Sequence, residues 1–475
     1  MSNLSLYQSA LLLSFFACSA SAEITYSRDV APILYQKCTG CHHPNDVAPM
    51  SLIDYKSARP WAKAIREAVL LKRMPPWFAD STSGHFSNDP SLSESERQII
   101  ADWVDQGAKE GNPRDMPPAP SYADGWHIGK PDVVFDIGED HVLKGSVVDE
   151  YIYFTVPTNF TEGHWVQAVE LRPGNRKVVH HAHVSVVEPD VPKTASGAAQ
   201  TASGAAQEGR SFSDYLVRTS DGLRHMRPDS PVVNDACAYN GPEIDRLHIA
   251  GEGALASYLP GMPPDNYRND TAKWIPAGAQ LRFQIHYHSE ASSTPTAAID
   301  RTSVGLIFAA TPPRHPLRRL DVDNDFFALP PGSEAQEVKQ CATFDSDSLL
   351  LSLTPHMHYR GKDARFEIQR PGEQVETLLF VPKYDFNWQL KYQLQDPIFV
   401  PKGTRLIITF HYDNGQNNHS NPDPSRTIRW GEPSEEEMMS GWIDYIVVPP
   451  TVGSASAAHI EHPGPSPHAT NGSTP

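Results

Sequence analysis

The chain lacks any excess of positive charge: 40 Lys and Arg stand against 57 Asp and Glu among its 475 residues, a formal net charge of −17. Nucleic acid and anionic lipid would both be repelled, so neither is expected as a partner. Beyond the N-terminus there is no run approaching the roughly 20 apolar residues of a membrane span, and no membrane span is expected. With 43 prolines, long helices are disfavoured and turns with short strands are favoured. Cysteine is scarce enough that its five copies sort by position.

What is present begins with an apolar run, Leu11 to Ala17, followed by Ala20 and Ala22 ahead of Glu23. It reads as a signal peptide over residues 1–22, although no Lys or Arg precedes it, and it places the mature protein in the periplasm or outside the cell. Cys18 leaves with that segment, Cys38 and Cys41 belong to a motif described next, and the remaining Cys237 and Cys341 suggest one disulfide in an oxidising compartment.

Cys38-Thr39-Gly40-Cys41-His42 is the C-x-x-C-H pattern. Its two thiols can bond covalently to haem vinyl groups while the adjacent imidazole meets the iron. The opposite face of the iron needs a second ligand. Met74, stiffened by Pro75-Pro76, is the natural candidate, with Met50, His43 and His85 as competitors. Two helices are expected around the motif. One begins at Pro60 and runs through Val69; the other follows the capping box Ser93 to Glu96, carries Ile99, Ile100, Trp103 and Val104, and is closed by Gly107. Residues 23–115 thus resemble a class I cytochrome c domain, which implies an all-α electron-transfer unit.

Residues 116–132 are Pro- and Gly-rich and read as a linker. The text then changes to short β-branched or aromatic runs separated by turn residues: Tyr151 to Val156, Trp165 to Leu171, Lys177 to Val187, Leu281 to His288, Leu349 to Thr354 and Leu406 to Tyr412. This is the pattern of antiparallel sandwiches. A seven-residue unit, TASGAAQ, repeated over Thr194 to Gln207, reads as a surface loop, and 451–475 as a disordered tail.

Histidines stand inside several of these runs, as Val179-His180-His181-Ala182-His183, Ile285-His286-Tyr287-His288 and His356-Met357-His358. Imidazole is the commonest ligand for copper, zinc and iron, and alternate positions on a strand share a face. His356 and His358 meet that condition. His180 and His181, being adjacent, should point to opposite faces of an ideal strand, whereas His181 and His183 should share one.

The residues His180-His181, Phe283-Gln284-Ile285-His286-Tyr287, His356-Met357-His358 with Gly361-Lys362, and Glu436-Glu437-Met438 resemble the copper type II, ascorbate-dependent monooxygenases, the family of peptidylglycine alpha-hydroxylating monooxygenase and dopamine beta-monooxygenase. The resemblance implies two antiparallel jelly-roll domains, over residues 133–330 and 331–450. It implies one copper held by His180, His181 and His286 as an electron store, and a second, catalytic copper held by His356, His358 and Met438. His183 stands in reserve, and His288, His411 and His419 have no counterpart in the family. The implied reaction hydroxylates a C–H bond of a small organic substrate with O2 and two electrons supplied through the fused haem by a periplasmic donor. Thr354 and Trp442 stand where the peptide-amidating enzymes anchor a carboxylate, so a less charged or aromatic compound is expected instead. A non-catalytic haem and copper electron carrier or sensor, and a zinc hydrolase, are the competing readings.

Overall fold

Pro75-Pro76 ends one regime of the chain, because proline cannot continue a helix. Structurally the chain is divided there: residues up to Pro75 together with Ser91–Pro120 form one unit, and Pro76–Pro90 with the residues from Ser121 onward form the other. The computed structural model describes residues 23–44, 48–122, 125–143, 148–188, 215–218, 223–239, 248–250, 253–259, 262–267, 270–289 and 298–449. The expected signal segment, the doubled TASGAAQ unit and the expected tail lie outside the described residues.

The first unit holds four short α-helices: α1 (Ala31–Lys37), α2 (Tyr55–Ala58), α3 (Ala62–Leu70) and α4 (Glu94–Asp105). α4 forms where the sequence supplies a reciprocal cap. The Ser93 hydroxyl accepts from the Glu96 N–H and the Glu96 carboxylate accepts from the Ser93 N–H, satisfying two donors that a helix start leaves unpaired. It ends before Gly107, whose φ of +97° is open to glycine at no steric cost. α3 follows a 3-10 turn over Arg59–Trp61. The apolar faces of α1, α3 and α4 bury Leu34, Ile65, Val69, Ile100 and Trp103, with Tyr26 wedged among them. The Trp103 indole N–H donates to the Lys109 carbonyl at 2.9 Å, so the large ring is buried without stranding its polar atom.

The second unit is built from β1 (Val133–Asp136), β2 (Val148–Pro157), β3 (His164–Arg172), β4 (Val179–Val187), β5 (Ala254–Tyr258), β6 (Thr271–Ile275), β7 (Gln280–Ser289), β8 (Ser303–Phe308), β9 (Arg318–Asp323), β10 (Gln336–Thr343), β11 (Ser348–His356), β12 (Gly361–Gln369), β13 (Val375–Val381), β14 (Tyr392–Val400), β15 (Arg405–Tyr412) and β16 (Ser440–Val447), with shorter strands between them. Each of the six runs singled out in the sequence is a strand. They lie in four multistranded sheets, ordered β1-β8-β3-β6, β2-β7-β4-β5, β14-β11-β16-β9 and β10-β15-β12-β13. One core gathers Val166, Leu171, Phe283, Tyr287 and Leu306 from the first two sheets, and another gathers Leu353, Phe366, Ile408 and Phe410 from the last two. Alternation sorts the chain in β7: Leu281, Phe283, Ile285 and Tyr287 are fully buried in the core, leaving Gln284, His286 and His288 on the other face.

The architecture corrects the expected one of an N-terminal all-α cytochrome c domain followed by two separate all-β jelly-roll sandwiches. Among the described residues the molecule is mostly β and the longest helix has only 12 residues, so they form no large all-α domain. Part of the stretch expected to be helical, Pro76–Pro90, is withdrawn into the β unit because its aromatics find more apolar area there. Trp77 and Phe86 lie 4.9 and 5.5 Å from the Tyr392 ring, and Phe86 bridges to Leu394. The four sheets form one unit because segments cross between the cores. Met226 and Val233 from residues 223–239 are buried in the second core, and Lys391 reaches Asp265 at 2.6 Å.

Candidate metal centres

In the helical unit, Cys38 ends α1 and is not joined to Cys41. Burial pushes the Cys38 thiol up to about 12. The His42 Nδ1 lies 3.1 Å from the Met50 carbonyl, which fixes Nδ1 as the donor and leaves Nε2 for a metal. Two thiols not tied to each other beside an imidazole oriented in this way suit a covalently attached haem. Among its competitors, His43 is buried with Nδ1 against the Thr39 carbonyl, Met50 packs on the helical core, and His85 falls in the β unit. Met74 is half-buried after α3 and is not among the side chains packed on that core.

The three-histidine cluster stands on β4 and β7. His181 pairs with His286 across the ladder, but Tyr287 pairs with Val179, so β4 carries one extra residue there. That residue is His180. The bulge resolves the parity conflict in the sequence, because an inserted residue lets two adjacent side chains face the same side. The ring centres lie 5.5 Å (His180–His181), 5.1 Å (His180–His286) and 4.8 Å (His181–His286) apart, and one nitrogen of each ring falls within 4.8 Å of the others. Tyr151 of β2 stacks on His286 at 4.2 Å and is itself held through its hydroxyl to Ser434 at 2.8 Å. His181 is only 3% exposed and neither of its ring nitrogens has a hydrogen-bond partner. Burial, reinforced by His286 and the neighbouring imidazoles, holds its pKa well below the ordinary histidine value, so the ring is neutral and its lone pair is available. A buried polar nitrogen left unbonded is costly, and a metal would satisfy it.

His356 closes β11 and His358 follows two residues on, their rings 5.3 Å apart. The His356 Nδ1 lies 2.7 Å from the Gln389 amide oxygen, and its ring stacks on Trp442 of β16 at 5.0 Å. Burial lowers His356 to about 4 and lowers His358 well below its ordinary value. The turn carrying His358 is clamped by Glu437, whose carboxylate accepts from the N–H of His358 at 2.8 Å and of Arg360 at 2.6 Å. Burial pushes that carboxyl up to about 8. Met438 opens on the same cavity as His356 and His358, whereas Met439 is fully buried in the core, so the geometry distinguishes the two sulfurs that adjoin in the sequence.

A cavity of about 190 Å³ has His181, His183, His356, His358, Met438 and Trp442 in its wall. No protein-family model and no curated protein matches this chain. Its chemistry therefore rests on the side chains themselves. The structure brings His180, His181 and His286 into one cluster, and His356, His358 and Met438 onto one cavity. His183 joins the cavity wall with Nδ1 at 2.8 Å from the Ser257 hydroxyl, and His288 stands 5.7 Å from the His180 ring. His411 lies elsewhere, against Asp363 at 2.7 Å.

Sequence reasoning missed a segment that touches both clusters. Phe386, in the turn after β13, stacks on His180 at 5.5 Å and meets His358 edge-on at 5.9 Å; three residues later Gln389 orients His356. The only trace in the sequence is an aromatic-dense stretch, Tyr384-Asp385-Phe386-Asn387-Trp388-Gln389, without periodicity.

Proposed function

We propose that this chain is a copper-dependent monooxygenase that hydroxylates a C–H bond of a small organic substrate with O2, its two electrons entering through a covalently attached haem. The observation that carries the reading is one cavity whose wall holds His181, a member of the three-imidazole cluster, together with His356, His358 and the Met438 thioether. His180, His181 and His286 would hold one copper, and His356, His358 and Met438 the other. When bound, copper would supply one-electron redox steps and dioxygen activation, the thioether favouring its reduced state.

The remaining work falls to the chain. Burial keeps His181, His356 and His358 neutral. Gln389 and Trp442 fix the His356 ring, Tyr151 fixes His286, and Phe386 occupies the space beside His180 and His358 and excludes water from it. His42 would hold the haem iron through Nε2, with Met74 as the candidate opposite ligand, and a periplasmic donor would reduce it. The Cys237–Cys341 disulfide is compatible with that compartment.

Zinc hydrolysis would require a carboxylate free to act as general base. Among the described residues, both carboxylates in the cavity wall are tied: Glu432 to Arg224 at 2.5 Å and Asp321 to Arg319 at 2.7 Å.

The test is metal analysis of the haem-loaded protein together with oxygen uptake. Two coppers per haem are expected, falling to about one in both His286→Ala and Met438→Ala, with substrate-dependent oxygen uptake lost in each. Zinc in place of copper would reject the proposal. Copper without oxygen consumption under any reductant would leave a non-catalytic electron carrier.

A further inference from the structure

Three charged side chains, Arg319, Asp321 and Glu432, line the cavity among the described residues. Arg319 and Asp321 are alternate residues of β9 and so project to one face. The Arg319 Nε donates to the Asp321 carboxylate at 2.7 Å, and its guanidinium lies 4.2 Å over the Trp442 ring. Glu432 is held by Arg224 through Nε at 2.9 Å, Nη2 at 2.5 Å and the backbone N–H at 2.8 Å, and it also accepts from the Tyr153 hydroxyl at 2.9 Å. Each charge in the wall thus has its opposite already bonded. The nearby Asp444 is likewise engaged, by Lys391 at 3.2 Å and the Ser352 hydroxyl at 2.9 Å.

A ligand ion entering such a chamber would give up its hydration and find no unengaged counter-charge, which is the costly case for burying charge. A neutral ligand has no such barrier. It can use the Ser257 hydroxyl, the Gln284 amide and the outer N–H groups of Arg319 as hydrogen-bonding partners, with Trp442, Tyr151 and Met438 supplying apolar contact. The volume is below the roughly 300–1,000 Å³ of pockets for drug-sized molecules and suits one ring with a short side chain.

We infer that the cavity selects a compact, uncharged substrate carrying a hydroxyl or carbonyl group, and that the Arg319–Asp321 pair is the specificity device that excludes ions. The inference rests on reading this cavity as the substrate chamber.

The test uses the full-length, metal-loaded protein and three probes of one shape, benzyl alcohol, benzoate and benzylamine, with equilibrium binding measured by calorimetry alongside oxygen uptake. Wild type is expected to bind the alcohol at least about tenfold more tightly than either ion. Asp321→Asn leaves Arg319 without its carboxylate and should shift the preference toward benzoate by about tenfold or more. Arg319→Gln leaves Asp321 without its cation and should shift it equally toward benzylamine. Ala254→Phe, which fills the cavity, should lose all three. Wild-type protein that prefers an ion, or binds none of the probes, overturns the inference, and that arm decides even if a variant fails to fold. Variants that shift in the same direction also overturn it. Reciprocal shifts in binding without hydroxylated product would sink the oxygenase reading while leaving the charge-exclusion device standing.

Discussion

The two halves of the β unit hold their histidines by opposite means. In the first half, His181 and His286 stand on paired strands, a bulge adds His180, and His181 is buried with both nitrogens unbonded. In the second, His356 and His358 lie at a strand end, and hydrogen bonds to the Gln389 and Glu437 oxygens fix the ring of one and the backbone of the other. The first set is completed only by a ligand, whereas the second is oriented before any ligand arrives. Only the second half is cross-linked, by Cys237–Cys341 across a separation of 104 residues.

The largest expected effect breaks that cross-link. Replacing both cysteines by alanine should lower stability by about 2–5 kcal/mol, since the bond restricts the unfolded chain. Guanidinium denaturation would measure it, and an unchanged midpoint would remove the cross-link from the contrast. A sharper comparison uses chelator-treated protein. There His181→Leu should hold or raise stability, because two stranded nitrogens disappear, while His356→Leu should lower it by about 1–3 kcal/mol by stranding the Gln389 oxygen in a residue only 2% exposed. Effects of equal sign would show that the two sets are not differently prepared.

The pH response follows from burial. His356 is lowered to about 4 and His183 to about 3. Between the unfolded value near 6.5 and these native values the unfolded chain binds more protons, so stability falls as pH falls. The slope should reach about 1.4 kcal/mol per pH unit for each group. In metal-free protein His356→Gln should flatten the profile between about pH 6.5 and pH 4; an unaltered profile would contradict the burial argument. The smallest effect lies outside both halves. Ser93→Ala removes the cap of α4 and should cost the helical unit about 1 kcal/mol, visible as an earlier helical transition by circular dichroism with the β unit's near-ultraviolet signal unmoved.

Much of the local structure was legible because its causes are local. The α4 cap is four consecutive residues, the C-x-x-C-H motif is five, and the six strand runs announce themselves by composition and turns. The fold class was not legible where its cause is distant in the chain. Nothing near Trp77 and Phe86 indicates that Tyr392 and Leu394 offer them a better apolar surface than the helices do. Likewise the alternation of β4 put His180 and His181 on opposite faces, since a bulge is set by the partner strand and not by the strand that carries it.

By itself, then, the sequence determined the chemical inventory: two thiols and an imidazole at fixed spacing, three histidine-bearing strands, adjacent methionines and an even pair of further cysteines. Only the tertiary structure decided which of these meet. It brought Met438 rather than Met439 to the cavity, inserted Phe386 and Gln389 beside the imidazoles, and bonded Arg319 to Asp321 across the top of Trp442. Short-range rules fix what a residue can donate or accept, whereas pairing register and burial, which choose its neighbours, are properties of strands far apart in the chain.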